Sequence, residues 1–170
     1  MKNPVATFSL ILLILLLSGF FWSDITWLSV NAEIDQKFPS VVSISTDELK
    51  KLLDNGQLPV IFDVREKKEY EISHLPGAQH RDDAREVTLE KSTPIAAYCS
   101  VGLRSAQFLE KLQKRGYTNL RNVRGSIFEW ANKDYPLMRK MLPVFTVHPY
   151  NKKWGKLLKQ EKHQYALPDT

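Results

Sequence analysis

Two short runs free of charged side chains, Pro59-Val60-Ile61-Phe62 and Ile95-Ala96-Ala97-Tyr98, each pass straight into polar residues and then into a helical pattern. A strand that is apolar at successive rather than alternate positions must be covered on both faces, as in a parallel sheet flanked by helices. The first run ends at Asp63 and leads to a helical stretch over residues 66–72. The second ends at Cys99 and leads through a loop to Leu103, Ala106, Leu109 and Leu112 at helical spacing, with Arg115-Gly116 as the stop. Residues 41–44 and 120–123 read as further short strands. Ser45 and Glu48 form a capping box before Leu49, Leu52 and Leu53, and Asn55-Gly56 closes that helix. Strands alternating with helices at this spacing predict an α/β domain with a mainly parallel sheet. Ligands of such sheets bind beyond the carboxyl ends of the strands, where Asp63 and Cys99 both fall.

The chain has 170 residues, room for one globular domain with appendages. Residues 5–22 form an uncharged run of 18, mostly Leu, Ile, Phe and Val, preceded by Lys2 and Pro4. That length is at the lower edge of a membrane-spanning helix and exceeds the usual signal-peptide core of about 7–15 residues. An N-terminal hydrophobic helix acting as an anchor is therefore expected over residues 1–30. The alternative is a secretory signal, removed at Val30-Asn31-Ala32. Either way the cationic end stays cytoplasmic, and the rest is expected on the exported, periplasmic or lumenal side, or secreted after cleavage. Residues 31–40 read as a polar linker, 41–138 as the domain, and 139–170 as a basic C-terminal extension.

Charge follows the same division. Residues 1–138 carry 17 Lys+Arg against 17 Asp+Glu, so the net +5 belongs to residues 139–170. A neutral domain argues against nucleic-acid binding. Within the extension, residues 141–147 are apolar enough to pack back on the domain. Residues 152–162 read as an amphipathic helix with Trp154, Leu157 and Leu158 on one side, either docked by those three or lying on anionic lipid.

Cys99 is the single cysteine, so an exported domain has no internal disulfide to make from it. An isolated cysteine is either a small core hydrophobe or a reactive thiol. Its position decides the weight. A thiol between a strand end and a helix start faces unpaired backbone N–H groups and the positive helix pole, which lower a cysteine pKa from about 8.5 to roughly 3.5–7.5. Backbone N–H groups of the loop Ser100-Val101-Gly102-Leu103-Arg104-Ser105 are placed to form an anion-binding nest, and Gly102 permits a conformation that a side chain resists. Arg104 either clamps an anion or braces the loop through Asp63 or another carboxylate. Asp63 and Arg65 read chiefly as charged groups at a strand end that organise the domain, and His74 as a brace of the turn His74-Leu75-Pro76-Gly77-Ala78. No metal-ligand spacing joins the histidines and the cysteine, and no cofactor is expected.

Three stretches together resemble the rhodanese-like sulfurtransferase family: Phe62-Asp63-Val64-Arg65 with Glu69-Tyr70, then residues 74–78, then the loop from Cys99 to Ser105. Gly125-Ser126-Ile127 with Trp130 is similar to the family's glycine turn and tryptophan-bearing helix. Ser73 stands where the family often has glycine, and Ser100 where many active members carry a larger or charged residue. The resemblance implies the three-layer rhodanese-like fold and a Cys99 nucleophile. That nucleophile takes sulfur from a small donor anion such as thiosulfate and hands it to a thiol or cyanide-like acceptor. A catalytically silent binding or sensing module is the alternative. Related cysteine phosphatases have five residues between cysteine and arginine. This chain has four, and the shorter loop fits sulfur better than phosphate.

Overall fold

The computed structural model describes residues 25–57 and 59–167. Most of the anchor or signal expected over residues 1–30 lies outside the described residues; its last four, 27–30, instead belong to the helix Trp27–Lys37, in which Val30 is buried. Among the described residues no helix is long and apolar enough to cross a membrane.

The elements in chain order are α1 (Trp27–Lys37), β1 (Ser43–Ile44), α2 (Thr46–Asp54), β2 (Val60–Asp63), α3 (Lys67–Ile72) and β3 (Gln79–His80). A 3₁₀ turn (Ala84–Glu86) precedes β4 (Ile95–Tyr98), α4 (Leu103–Lys114), β5 (Leu120–Val123) and α5 (Ser126–Asn132). The hairpin β6 (Leu137–Arg139) and β7 (Leu142–Val144), the single turn α6 (Lys152–Gly155) and a 3₁₀ turn (Gln160–Lys162) complete it. Strands β1 to β5 form one parallel sheet in the order β1-β5-β4-β2-β3. β4 is its centre and is buried at every residue, and its Ala96 and Ala97 let the covering side chains come close. The apolar runs β2 and β4 thus stand side by side, with Asp63 level with Tyr98. Their ends bring Asp63 and Cys99 to the carboxyl edge.

The capping box forms as its residues predict: Ser45 Oγ accepts from the Glu48 N–H at 3.1 Å, and Glu48 accepts from the Ser45 N–H at 2.9 Å. Helices α1 and α4 pack together, as do α2 and α5. Phe128, Trp130 and Leu112 are fully buried, with the Trp130 Nε1 satisfied by the Pro136 carbonyl at 2.8 Å.

The structure departs from the sequence reading at five points. Most of residues 31–40, expected to be a polar linker, belong to α1. That helix is capped by Thr26 and fixed to the domain by Val30 and Ile34, one turn apart on one face, and by the Asp35–Arg124 ion pair at 2.5 Å. A two-residue face is too slight a pattern to stand out in a polar sequence. β3 was unforeseen, because Gln79-His80 has no apolar pattern; it is an edge strand, where one side remains wet. Residues 141–147 do not pack down as a block. Met141, Leu142 and Phe145 are exposed and only Val147 is fully buried, because the hairpin turns the others outward. β6 also carries the fold across the expected domain end at 138.

The fifth concerns the helix expected over residues 152–162. It is broken into α6 and a 3₁₀ turn. At the break, a Cβ on Gly155 would come within 3.1 Å of the His163 ring and 3.2 Å of Pro149, so a side chain there would crowd the passing chain. Leu157 and Leu158 are buried and Trp154 packs against the core, so the three apolar residues do dock.

Candidate active site

Cys99 follows the last residue of β4, and α4 begins four residues later. The loop between them is held from three sides. Ser126 Oγ accepts from the Cys99 N–H at 3.2 Å, and the Ile127 and Phe128 N–H groups donate to the Cys99 and Ser100 carbonyls at 3.2 Å each. The start of α5 thereby uses its unpaired donors on the loop. Asn122 Nδ2 donates to the Gly102 carbonyl at 3.1 Å, and Ser105 Oγ donates to Asn122 Oδ1 at 2.6 Å. Gly102 has φ +113, and a Cβ there would sit 3.0 Å from Ile34 Cδ1. Only glycine satisfies that backbone while leaving room for α1.

The loop curls its backbone toward the sulfur. The Gly102 N–H points at Cys99 Sγ at 3.1 Å. Burial pushes the thiol pKa up, but the Arg104 charge and the Ser105, Gly102 and Val101 N–H groups outweigh it, so the thiol titrates below its ordinary value. Of the loop N–H groups expected to form a nest, those of Val101, Gly102 and Ser105 act on the thiol.

Arg104 makes a two-pronged pair with Glu69: Nη1 donates to Oε2 at 2.7 Å and Nη2 to Oε1 at 3.0 Å. Nη2 also donates to Ser100 Oγ at 2.9 Å, and Ser100 Oγ donates to Glu69 Oε1 at 3.2 Å. The brace is therefore Glu69, from α3, and not Asp63. Burial pushes the Glu69 pKa up, yet Arg104, Arg65 and the Glu66 N–H hold its carboxyl below the ordinary range. Ser100 has room to serve this pair because it is small.

Asp63 belongs to a second network. Arg65 Nε and Nη2 donate to its two oxygens at 2.9 and 2.6 Å, the Tyr98 hydroxyl donates to Oδ2 at 2.6 Å, and Arg65 Nη2 also donates to the Ser73 carbonyl at 2.6 Å. Asp63 and Arg65 are wholly buried. The group ties β2 and β4 to the turn after α3. His74 pairs backbone to backbone with Met138 at 2.8 Å, and its ring stacks on Tyr70 with centroids 4.3 Å apart. Its partners lie outside the thiol loop, as a brace requires.

The sulfur opens into a pocket of about 200 Å³ lined by Cys99, Ser100, Val101, Leu103, Arg104, Tyr150 and Trp154. Sequence alone does not mark Glu69, Tyr150 or Trp154 as site residues. Glu69 carries a signal in the Glu69-Tyr70 pair of the family pattern; the two aromatics, some fifty residues away in the chain, carry none. Among the described residues no cluster of three or more His, Cys, Asp or Glu is placed to hold a metal ion.

The chain is 30% identical over 102 residues to a probable adenylyltransferase/sulfurtransferase of Mycobacterium tuberculosis, covering 56% of this chain and 26% of that protein. It spans about a quarter of the length of that relative. A sulfurtransferase of Allochromatium vinosum is 28% identical over 102 residues, covering 58% of this chain and 95% of that one. The crystal structure of a rhodanese-related protein from Thermoplasma volcanium superposes with a TM-score of 0.51 at 28% identity, covering 58% of this chain and 99% of the other. The sequence profile of the rhodanese-like domain matches residues 45–133, more than half of the chain, with Cys99 and its loop inside the match. By that match and by its parallel sheet flanked by helices, this chain belongs to the rhodanese-like domain family.

Proposed function

We propose that the protein is a rhodanese-type sulfurtransferase that carries one sulfur atom on Cys99. The observation that carries this reading is the thiol itself, buried at the end of β4 with the Gly102 N–H aimed at it and its pKa lowered by Arg104 and the loop N–H groups. Similarity to proteins named sulfurtransferase supports it.

The chemistry balances without an outside oxidant. The Cys99 thiolate attacks the outer sulfur of a donor such as thiosulfate. A sulfur–sulfur bond to Cys99 forms, the donor's sulfur–sulfur bond breaks, and sulfite leaves with the electron pair. An acceptor thiolate then attacks the terminal sulfur and becomes a persulfide, while Cys99 leaves as thiolate. The loop N–H groups stabilise the anionic sulfur in both forms, so no proton has to be found for it. Arg104 contributes positive charge from a position fixed by Glu69. Four residues between Cys99 and Arg104 disfavour phosphate chemistry, which related enzymes perform with a longer loop.

Intact mass spectrometry after exposure to thiosulfate tests the reading. The parent is expected to gain one sulfur atom, about 32 Da, and Cys99→Ala to gain none. No gain on the parent with thiosulfate or with a small persulfide would leave the silent binding module as the better account.

A further inference from the structure

The C-terminal segment that supplies Tyr150 and Trp154 is a pinned clasp. Its two ends meet where the Val147 N–H donates to the Lys162 carbonyl at 2.7 Å and the Gln164 N–H to the Val147 carbonyl at 3.0 Å. Asn132 on α5 holds the far side, donating to the Leu157 carbonyl at 2.8 Å and accepting from the Lys159 N–H at 2.9 Å. Leu157 and Leu158 are buried beneath it, and His163 Nε2 lies 3.1 Å from the Gly155 and Leu158 carbonyls. A segment tied at so many points opens far less readily than a free tail.

Both aromatics are set by local devices. Asn151 Oδ1 caps α6 by accepting from the Lys153 and Trp154 N–H groups at 3.0 Å each. Tyr150 has φ +62, and its N–H donates to Nδ1 of buried His148 at 3.0 Å. From there its ring covers the face of the Arg104 guanidinium, with the charge centre 4.6 Å from the ring centroid. Glu69 and Ser100 occupy the edge of the same guanidinium, so Arg104 is enclosed on edge and face.

The consequence falls on access to the sulfur. Cys99 is 1% exposed, and it lines a pocket of about 200 Å³ whose wall includes Tyr150 and Trp154. That volume is below the roughly 300–1,000 Å³ of ordinary ligand sites. A folded protein would have to bring a thiol on a convex surface through this opening, whereas a small thiol enters whole. We propose that Tyr150 and Trp154 are specificity-determining residues that restrict sulfur exchange at Cys99 to small donors such as thiosulfate and low-molecular-weight persulfides and to low-molecular-weight thiol acceptors. The proposal rests on the sulfur-transfer reading above.

Because the chain has a single cysteine, access is measured directly by alkylation. The rates of Cys99 modification by iodoacetamide and by a maleimide on a large polymer are compared in the full chain, in Tyr150→Gly and in Trp154→Ala. Glycine suits the left-handed backbone at 150, so the first variant removes the ring without added strain. The polymer-to-small rate ratio is expected to rise about tenfold in either variant. Phe145→Ala, an exposed aromatic elsewhere on the extension, is expected to leave the ratio at the parent value. In the same proteins loaded with sulfur, delivery to a thiol on a folded protein relative to free cysteine is expected to rise in parallel. An unchanged alkylation ratio in both variants overturns the proposal. So does a parent that delivers sulfur to the folded protein as fast as to cysteine. A parent that resists the polymer reagent but never gains sulfur breaks the sulfur-transfer reading while the wall stands.

Discussion

The molecule contains two arginine–carboxylate forks: Arg65 grips Asp63 side-on through Nε and Nη2, and Arg104 grips Glu69 end-on through Nη1 and Nη2. Their surroundings differ. Both partners of the first pair are wholly buried, and Tyr98 and the Ser73 carbonyl add further hydrogen bonds. In the second the Arg104 side chain is 31% exposed and lies between its carboxylate and the thiol loop. The first fork holds strands to a turn. The second sets the charge beside a sulfur. The same kind of ion pair therefore differs in what it supports according to what stands beside the arginine.

Replacing each carboxylate by its amide tests that contrast most strongly. Asp63→Asn strands a fully buried guanidinium and is expected to cost about 3–5 kcal/mol of stability in urea denaturation. Glu69→Gln leaves Arg104 partly hydrated, and the expected loss is smaller, about 1–2 kcal/mol after allowing for solvent screening. Equal losses would collapse the distinction. The acid limb of stability tests the second pair on its own. The Glu69 pKa is lowered in the folded protein, so its contribution is complete above the ordinary carboxylate value of 4.5 and is lost as the pH falls through the lowered folded value. Glu69→Gln is thus expected to flatten the decline in melting temperature between neutral pH and the acid range.

The smallest effect is on titration. Arg104 favours the Cys99 thiolate, so Arg104→Gln is expected to move the midpoint of the alkylation-rate profile of Cys99 to higher pH. A midpoint unmoved by that change would reduce Arg104 to a second architectural arginine.

How far the residues announce this structure depends on how local the cause is. β2 and β4 are legible because burial on both faces demands continuous apolar sequence, and the α2 start because Ser45 and Glu48 lie three residues apart. The Cys99 loop is legible for the same reason: nucleophile, glycine and arginine sit within six residues. The choice of Glu69 over Asp63 as the partner of Arg104 is not, since both carboxylates lie far upstream and only the fold decides which arrives. Tyr150 and Trp154 are harder still. They are carried by a segment pinned through contacts far apart in the chain, and Gly155, where a side chain would crowd Pro149 and His163, reads in sequence as a tolerable residue inside a basic helix. β3 hides because an edge strand of two polar residues needs no pattern at all.

The lone sulfur of Cys99 has a kinetic meaning on the proposed chemistry. With no second thiol in the sequence, a charged chain has no internal route to a disulfide, and it holds its cargo until an outside molecule arrives. Capacity is one atom per chain, and filling and emptying both run through the same small opening. At balance, the fraction of chains carrying sulfur tracks the ratio of persulfide to thiol in the surrounding solution, as the colour of an indicator dye tracks protons.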